Sequence, residues 1–278
     1  MSTSKTETVA ARDGTKLLVR RWAATGAPWA TALIVHGLGE HSGRWEAVGA
    51  RMAAAGIAVA SYDHRGHGKS SGKRAHTESW DHMLDDVQDR LGASREGRLP
   101  AVLYGHSMGG LVCTDYLLSG RPAPDLGVLS APALGDTLNP LLRALVPTLG
   151  RVAGGVAIAN PFAVDELSRD AKVGEAYAAD PLTESKTTLR LGGGITTAAD
   201  RVNAKVAAGA TFPCPVLVIH GEDDTIVPTA STEKLATVKG AERRTYAKVR
   251  HEPHNDPDGE AIVDEVIEWL RKQVAVLA

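Results

Sequence analysis

Short apolar runs alternate with helical patterns along most of this chain. Residues 32–35, 57–62, 101–104 and 126–129 each read as a strand buried on both faces, being short and nearly continuous in apolar side chains. Residues 215–219 repeat the pattern late in the chain, and residues 243–249 form a weaker sixth run. Helical segments fall between them at residues 45–55, 80–91, 108–118 and 260–276. In the second of these, Trp80, Leu84, Val87 and Leu91 share one helix face. Alternation of this kind predicts an α/β fold with a mostly parallel central sheet and helices on both faces. The opening differs. Residues 8–12 and 16–22 flank Asp13-Gly14, a hairpin signal, so the sheet is expected to begin with an antiparallel pair.

Residues 131–212 break the rhythm, a stretch too long for an ordinary loop. Helical pattern recurs there at 141–156, 164–179 and 198–208, without a convincing parallel strand. This predicts a helical cap inserted between two parts of one core, residues 1–130 and 213–278. The triplet Gly192-Gly193-Gly194 is the most flexible-looking point, read as a loop between helices or as a hinge for cap motion.

Composition narrows the class. The chain has 278 residues, 43% hydrophobic and 23% charged, enough to bury a sizeable core. A formal net charge of −2 with no basic run argues against a nucleic-acid partner. The polar start, residues 1–11, lacks the apolar segment of a signal peptide, and no apolar run approaches the ~20 residues of a membrane span. Cys113 and Cys214 fit two free, buried thiols in a reducing compartment, a single disulfide being the alternative. A cytoplasmic protein that touches membranes only transiently is the expectation.

The sharpest chemistry lies at Gly105-His106-Ser107-Met108-Gly109, directly after one predicted strand and before a helix. That is the setting of a nucleophile elbow. A serine in a strained strand-to-helix turn needs tiny neighbours at −2 and +2, and the helix aims its free N–H groups at the reaction centre. The hydroxyl needs a base, and the base an orienting acid, in the chain order Ser, Asp or Glu, His. Past the strand at 215–219 come Glu222, Asp223 and Asp224, and past the run at 243–249 come His251 and His254. Spacing alone leaves those alternatives open. Two backbone donors are expected to hold an oxyanion, the N–H of Met108 and that of Leu38 in His36-Gly37-Leu38-Gly39, each worth roughly 3 kcal/mol of barrier. His36 itself reads as a residue that pins its loop. Asp63-His64-Arg65-Gly66-His67-Gly68 reads as a turn locked by side-chain bonds, with no zinc ligand set. Glu40 and His41 read as loop-fixing.

Several motifs together resemble the monoacylglycerol lipase group of α/β-hydrolases, with its bacterial lysophospholipase-like members. They are residues 36–43 (HGLGEHSG) followed by Arg44-Trp45, residues 63–70 (DHRGHGKS), residues 105–110 (GHSMGG), residues 220–224 (HGEDD) and His251-Glu252 with Asn255-Asp256. The likeness runs from about residue 8 to the C-terminus. It implies that Asp224 is the acid and His251 the base, and it supports Leu38 and Met108 as oxyanion donors. It also implies a mobile cap bearing the acyl-chain entrance and a monomer or small homo-oligomer acting at lipid interfaces; the serine mechanism itself needs no metal or organic cofactor. Lys248 stands where the group usually has glycine, and Asp256 where it usually has Glu.

The expected activity is serine ester hydrolysis of monoacylglycerols to fatty acid and glycerol. Short-chain carboxylesterase or lysophospholipase activity is the nearest alternative. An aminopeptidase would need acidic cap residues gathered around a free amine. A slow-turnover ligand-binding receptor of the same fold is the reading from another class. Dehalogenase and epoxide-hydrolase relatives carry Asp at the elbow, so that chemistry is disfavoured.

Overall fold

Alternate residues of the central strands feed two different cores. Leu33 and Val35 face one, Ala32 and Ile34 the other, and Leu103 is likewise opposed to Val102 and Tyr104. The computed structural model describes residues 4–95, 97–137 and 139–277, apart from the side chain of Leu142. Met1–Thr3 of the polar start, Glu96, Leu138 of the insertion and Ala278 lie outside the described residues.

The chain begins with a hairpin, β1 (Lys5–Ala10) and β2 (Lys16–Trp22), turning at Asp13-Gly14 as the sequence predicts. There follow β3 (Ala30–Val35), α1 (Glu46–Ala54), β4 (Ile57–Tyr62), α2 (Trp80–Ser94), β5 (Ala101–His106), α3 (Met108–Leu117) and β6 (Leu126–Ser130). The insertion carries α4 (Pro140–Val152), β7 (Ala157–Ala159), α5 (Ala171–Ala179), β8 (Lys186–Thr188) and α6 (Leu189–Ala207). The chain closes with β9 (Val216–Gly221), β10 (Ala241–Tyr246) and α7 (Gly259–Leu277). Eight strands form one sheet in the order β1-β2-β4-β3-β5-β6-β9-β10. β2 runs against both of its neighbours, β1 and β4; from β4 to β10 every pairing is parallel. This is the α/β-hydrolase architecture. Helices α2, α3 and α6 pack into the core on one face, α1 and α7 into the core on the other.

One feature of the insertion differs from the sequence expectation, and another lies outside it. β7 and β8 pair antiparallel, but three residues each are too few to leave an alternation signal. The glycine triplet is not a loop between helices; it lies inside α6. A Cβ on Gly193 would sit 3.1 Å from the Val146 carbonyl and 3.2 Å from Cα of Pro147, so glycine lets α6 approach the α4 backbone. Close approach here outweighs the helix penalty of glycine. Further along α6, Ala198, Ala199 and Val202 join the same core as α3. Among the described residues, no helix is long and apolar enough to cross a membrane. Cys113 and Cys214 are both free and buried.

Candidate active site

Three loops at the C-terminal ends of β3, β5 and β9 meet the loop after β10, and each brings one part of the site. At the end of β5, Ser107 occupies the left-handed region with φ 53° and ψ −120°. That conformation is costly for a residue with a side chain and marks a strained turn. Its flanking glycines are required by contact. A Cβ on Gly105 would lie 2.5 Å from the Gly109 carbonyl, and one on Gly109 would lie 2.2 Å from the Val35 carbonyl. Met108 is the first residue of α3, whose first N–H groups have no partner within the helix.

Ser107 Oγ donates to His251 Nε2 at 2.9 Å, and His251 Nδ1–H donates to Asp224 Oδ2 at 2.8 Å. The structure thus brings together the serine, histidine and acid that the motifs single out. Asp223 and Glu222 are exposed, whereas Asp224 is buried. Its Oδ2 also accepts from His220 Nε2 at 3.0 Å, and its Oδ1 from the N–H groups of Ile226 and Val227, both at 2.9 Å. Burial opposes ionisation of Asp224, yet the His251 charge and the bonds from both histidines hold its carboxyl well below the usual range. For His251, burial disfavours the cation, but Asp224, and beyond it Glu252 and Glu40, hold the imidazole above its ordinary value. Gly221 serves close approach, since a Cβ there would meet the Val249 carbonyl at 2.2 Å.

His36 pins the loop after β3: its Nδ1–H donates to the Gly37 carbonyl at 2.8 Å and its Nε2 accepts the His64 N–H at 2.9 Å. Gly37 abuts the serine, because a Cβ on it would lie 3.1 Å from Cβ of Ser107. Leu38 follows, and it lines the same pocket as Met108, Ser107 and His251. The turn at 63–70 is locked by side chains. Asp63 accepts from the N–H groups of Ser42 and Lys69 at 2.8 Å each, and Arg65 pairs with Asp86 at 2.9 Å. Among the described residues, no group of three His, Cys, Asp or Glu is placed to hold a metal ion.

A pocket of about 110 Å³ opens beside Ser107, and Leu38, Ala133, Phe162, Ile195, Ile226 and Val227 give it a mainly apolar wall. Three of these come from the insertion. The acids at its edge are already paired: Glu40 and Glu252 with Arg44, Asp136 with Arg143. The insertion is also fastened to the loop of His251. Ser168 Oγ donates to the Asn255 carbonyl at 3.0 Å, Arg169 pairs with Asp256, and the Glu252 N–H donates to the Leu167 carbonyl at 2.8 Å.

Sequence reasoning gave no role to His220, and it set His254 aside beside His251. His254 is buried, stacked on Trp45 with centroids 4.1 Å apart, and burial pushes it down to about 4. Lys248, in place of the usual glycine, has φ 65°.

Residues 26–258 match the family Hydrolase_4, described as serine aminopeptidase, S33. The chain belongs to this family. It is similar to a monoacylglycerol lipase of Mycolicibacterium smegmatis, 32% identical over 97% of this chain and 98% of that protein. The crystal structure of Paleococcus ferrophilus monoacylglycerol lipase is 30% identical, covering 92% of this chain and 99% of its own at a TM-score of 0.82. A soluble variant of monoglyceride lipase from Saccharomyces cerevisiae, in complex with a substrate analogue, shares the Hydrolase_4 chain's fold. It has a TM-score of 0.90 at 20% identity, covering 98% of this chain and 96% of its own.

Proposed function

We propose that the chain is a serine ester hydrolase cleaving monoacylglycerols to fatty acid and glycerol through an acyl-enzyme on Ser107. The observation that carries this is the hydrogen-bonded line Ser107–His251–Asp224 opening onto an apolar pocket. His251 takes the Ser107 proton as Oγ attacks the ester carbonyl. The N–H groups of Leu38 and Met108 bind the oxyanion, and His251 then protonates the departing alcohol. Water activated by the same imidazole releases the fatty acid, while Asp224 holds the tautomer and stabilises the imidazolium. The monoacylglycerol lipases of M. smegmatis and P. ferrophilus support the glyceride substrate. An aminopeptidase would need a carboxylate left over for a free amine, and the pocket's acids are all paired with arginines.

In this reading residues 131–212 act as a cap over the core formed by the rest of the chain. Its exposed apolar residues, Leu141, Leu145 and Val152 on α4 with Val156 and Ile158 beyond, support transient contact with a membrane or micelle. The enzyme works as a monomer or small homo-oligomer in the cytoplasm, consistent with its two free thiols. The test is a side-by-side assay of a monoacylglycerol, a triacylglycerol, a lysophospholipid and a short-chain alkyl ester. The monoacylglycerol should have the highest kcat/KM; faster turnover of a non-glyceride ester overturns the lipid assignment.

A further inference from the structure

Arg44 stands between the two loops that would supply the oxyanion donor and the base. Its guanidinium forms a two-pronged bond to Glu252, Nη1 to Oε1 at 2.6 Å and Nη2 to Oε2 at 2.8 Å, and reaches Glu40 Oε2 at 3.1 Å. Glu40 Oε1 in turn accepts the Gly37 N–H at 2.5 Å, one residue before Leu38, and Trp45 Nε1–H donates to Oε2 at 3.2 Å. Glu252 directly follows His251, and its Oε2 also accepts from Asn255 Nδ2 at 2.7 Å. Tyr177 of α5 lies under the Arg44 guanidinium at 4.9 Å and donates its hydroxyl to the Gly39 carbonyl at 2.9 Å. The side chains of Glu40, Arg44 and Glu252 are 3%, 10% and 2% exposed, so this is a buried ion cluster in the pocket wall.

We propose that Glu252, held by the Arg44 that also binds Glu40, is a positioning residue for the hydrolysis, setting His251 and the Leu38 loop in one rigid frame. The inference rests on the serine-hydrolase reading above. Stability is a poor reason for such a cluster, because apolar residues of similar volume replace buried ion pairs at little or no loss. Its charge is better suited to catalysis. Two carboxylates against one guanidinium leave a negative charge beside an imidazole that must accept a proton. Every group bonded to Glu40 is a donor, as a carboxylate requires, although burial pushes its carboxyl up. Burial works the same way on Glu252, yet the charge and bonds of Arg44 hold it down at about 2.

The groups that face His251 are few. Asp224, backed by His220, comes from the end of β9; Ser107 and His106 come from the elbow, with His106 at 4.9 Å between centroids. Glu40 and Arg44 come from the loop after β3, and Glu252 and His254 from its own loop. Of these, Asp224, Glu252 and Glu40 favour the cation. Removing the Glu252 charge should therefore make the imidazolium easier to deprotonate.

The test compares Glu252→Gln and Arg44→Lys with the wild type on a soluble p-nitrophenyl ester across pH 5 to 9, all rates being expressed per site labelled by a fluorophosphonate. For Glu252→Gln, kcat should fall about 10- to 100-fold with KM within about 3-fold. The acid limb of kcat/KM should move about 0.5 or more to lower pH. Arg44→Lys keeps the charge sum but loses the fork, so kcat should fall about tenfold with the acid limb in place. An unmoved acid limb in Glu252→Gln, or wild-type kcat in Arg44→Lys, overturns the proposal; the second variant decides it if the first does not fold. Wild-type protein that fails to label at Ser107 would instead overturn the serine-hydrolase reading itself.

Discussion

His220 and His251 donate to the same oxygen of Asp224, at 3.0 and 2.8 Å. With the other oxygen held by two backbone N–H groups, the carboxylate cannot turn away from His251. The proton on His251 is thereby fixed at Nδ1, and Nε2 is left to accept from Ser107. Asp224→Asn would offer an amide N–H to one imidazole and spoil that arrangement. Its kcat should fall by about 10³- to 10⁴-fold, as the wrong tautomer does in other serine hydrolases. His220→Phe removes only one of the bonds and should cost about tenfold. Equal losses in the two variants would contradict this division of labour.

Lys248 occupies the left-handed region at φ 65° just before the loop of His251. Its side chain is exposed, so no burial offsets the strain. Lys248→Gly should raise the free energy of unfolding by up to about 1 kcal/mol, part of the relief being lost to the greater freedom of glycine when unfolded. Urea denaturation would register this as a higher midpoint; a lower one would show that the lysine is not strained.

Several buried histidines make stability sensitive to acid. Burial pushes His254 and His67 down to about 4 and His64 to about 3, whereas the unfolded chain binds the same protons near pH 6.5. Between those values the unfolded state holds more protons, so stability is full above about pH 6.5 and is lost as pH falls toward 4. His254→Phe keeps a ring against Trp45 and removes one titrating group. The loss of stability between pH 7 and pH 5 should then shrink by about 2 kcal/mol. An unchanged pH dependence would show that His254 is not held neutral.

The apolar residues of α4 and its neighbours offer a test of interfacial contact. Leu145, Val152 and Ile158 are 47%, 77% and 44% exposed. Replacing all three by Ser should raise KM for micellar monoacylglycerol about 5- to 10-fold through lost apolar contact. Turnover of a soluble short-chain ester should stay within about 2-fold of wild type. If both substrates suffer equally, the change acts on the pocket and not on the interface.

Much of the scaffold was legible because parallel strands buried on both faces leave unmistakable apolar runs. β4 lies where the sequence predicts it, at Ile57–Tyr62, and the elbow is anchored by glycines whose replacement would collide with backbone. Asp224 could not be told from Asp223 by spacing, since what separates them is burial between two imidazoles. The Arg44–Glu252 bond joins residues 208 positions apart, which no local pattern records. The glycine triplet misled for a related reason: its helix is stabilised by contact with α4, and glycine composition alone carries no sign of a partner.

Replacement of Ser107 tests the whole account most directly. Fatty acid release from a monoacylglycerol should be measured for wild type and for Ser107→Ala, with folding checked by circular dichroism. A fully folded variant whose kcat is lower by about 10⁴-fold or more is the predicted result. Turnover within about tenfold of wild type would contradict an acyl-enzyme on Ser107.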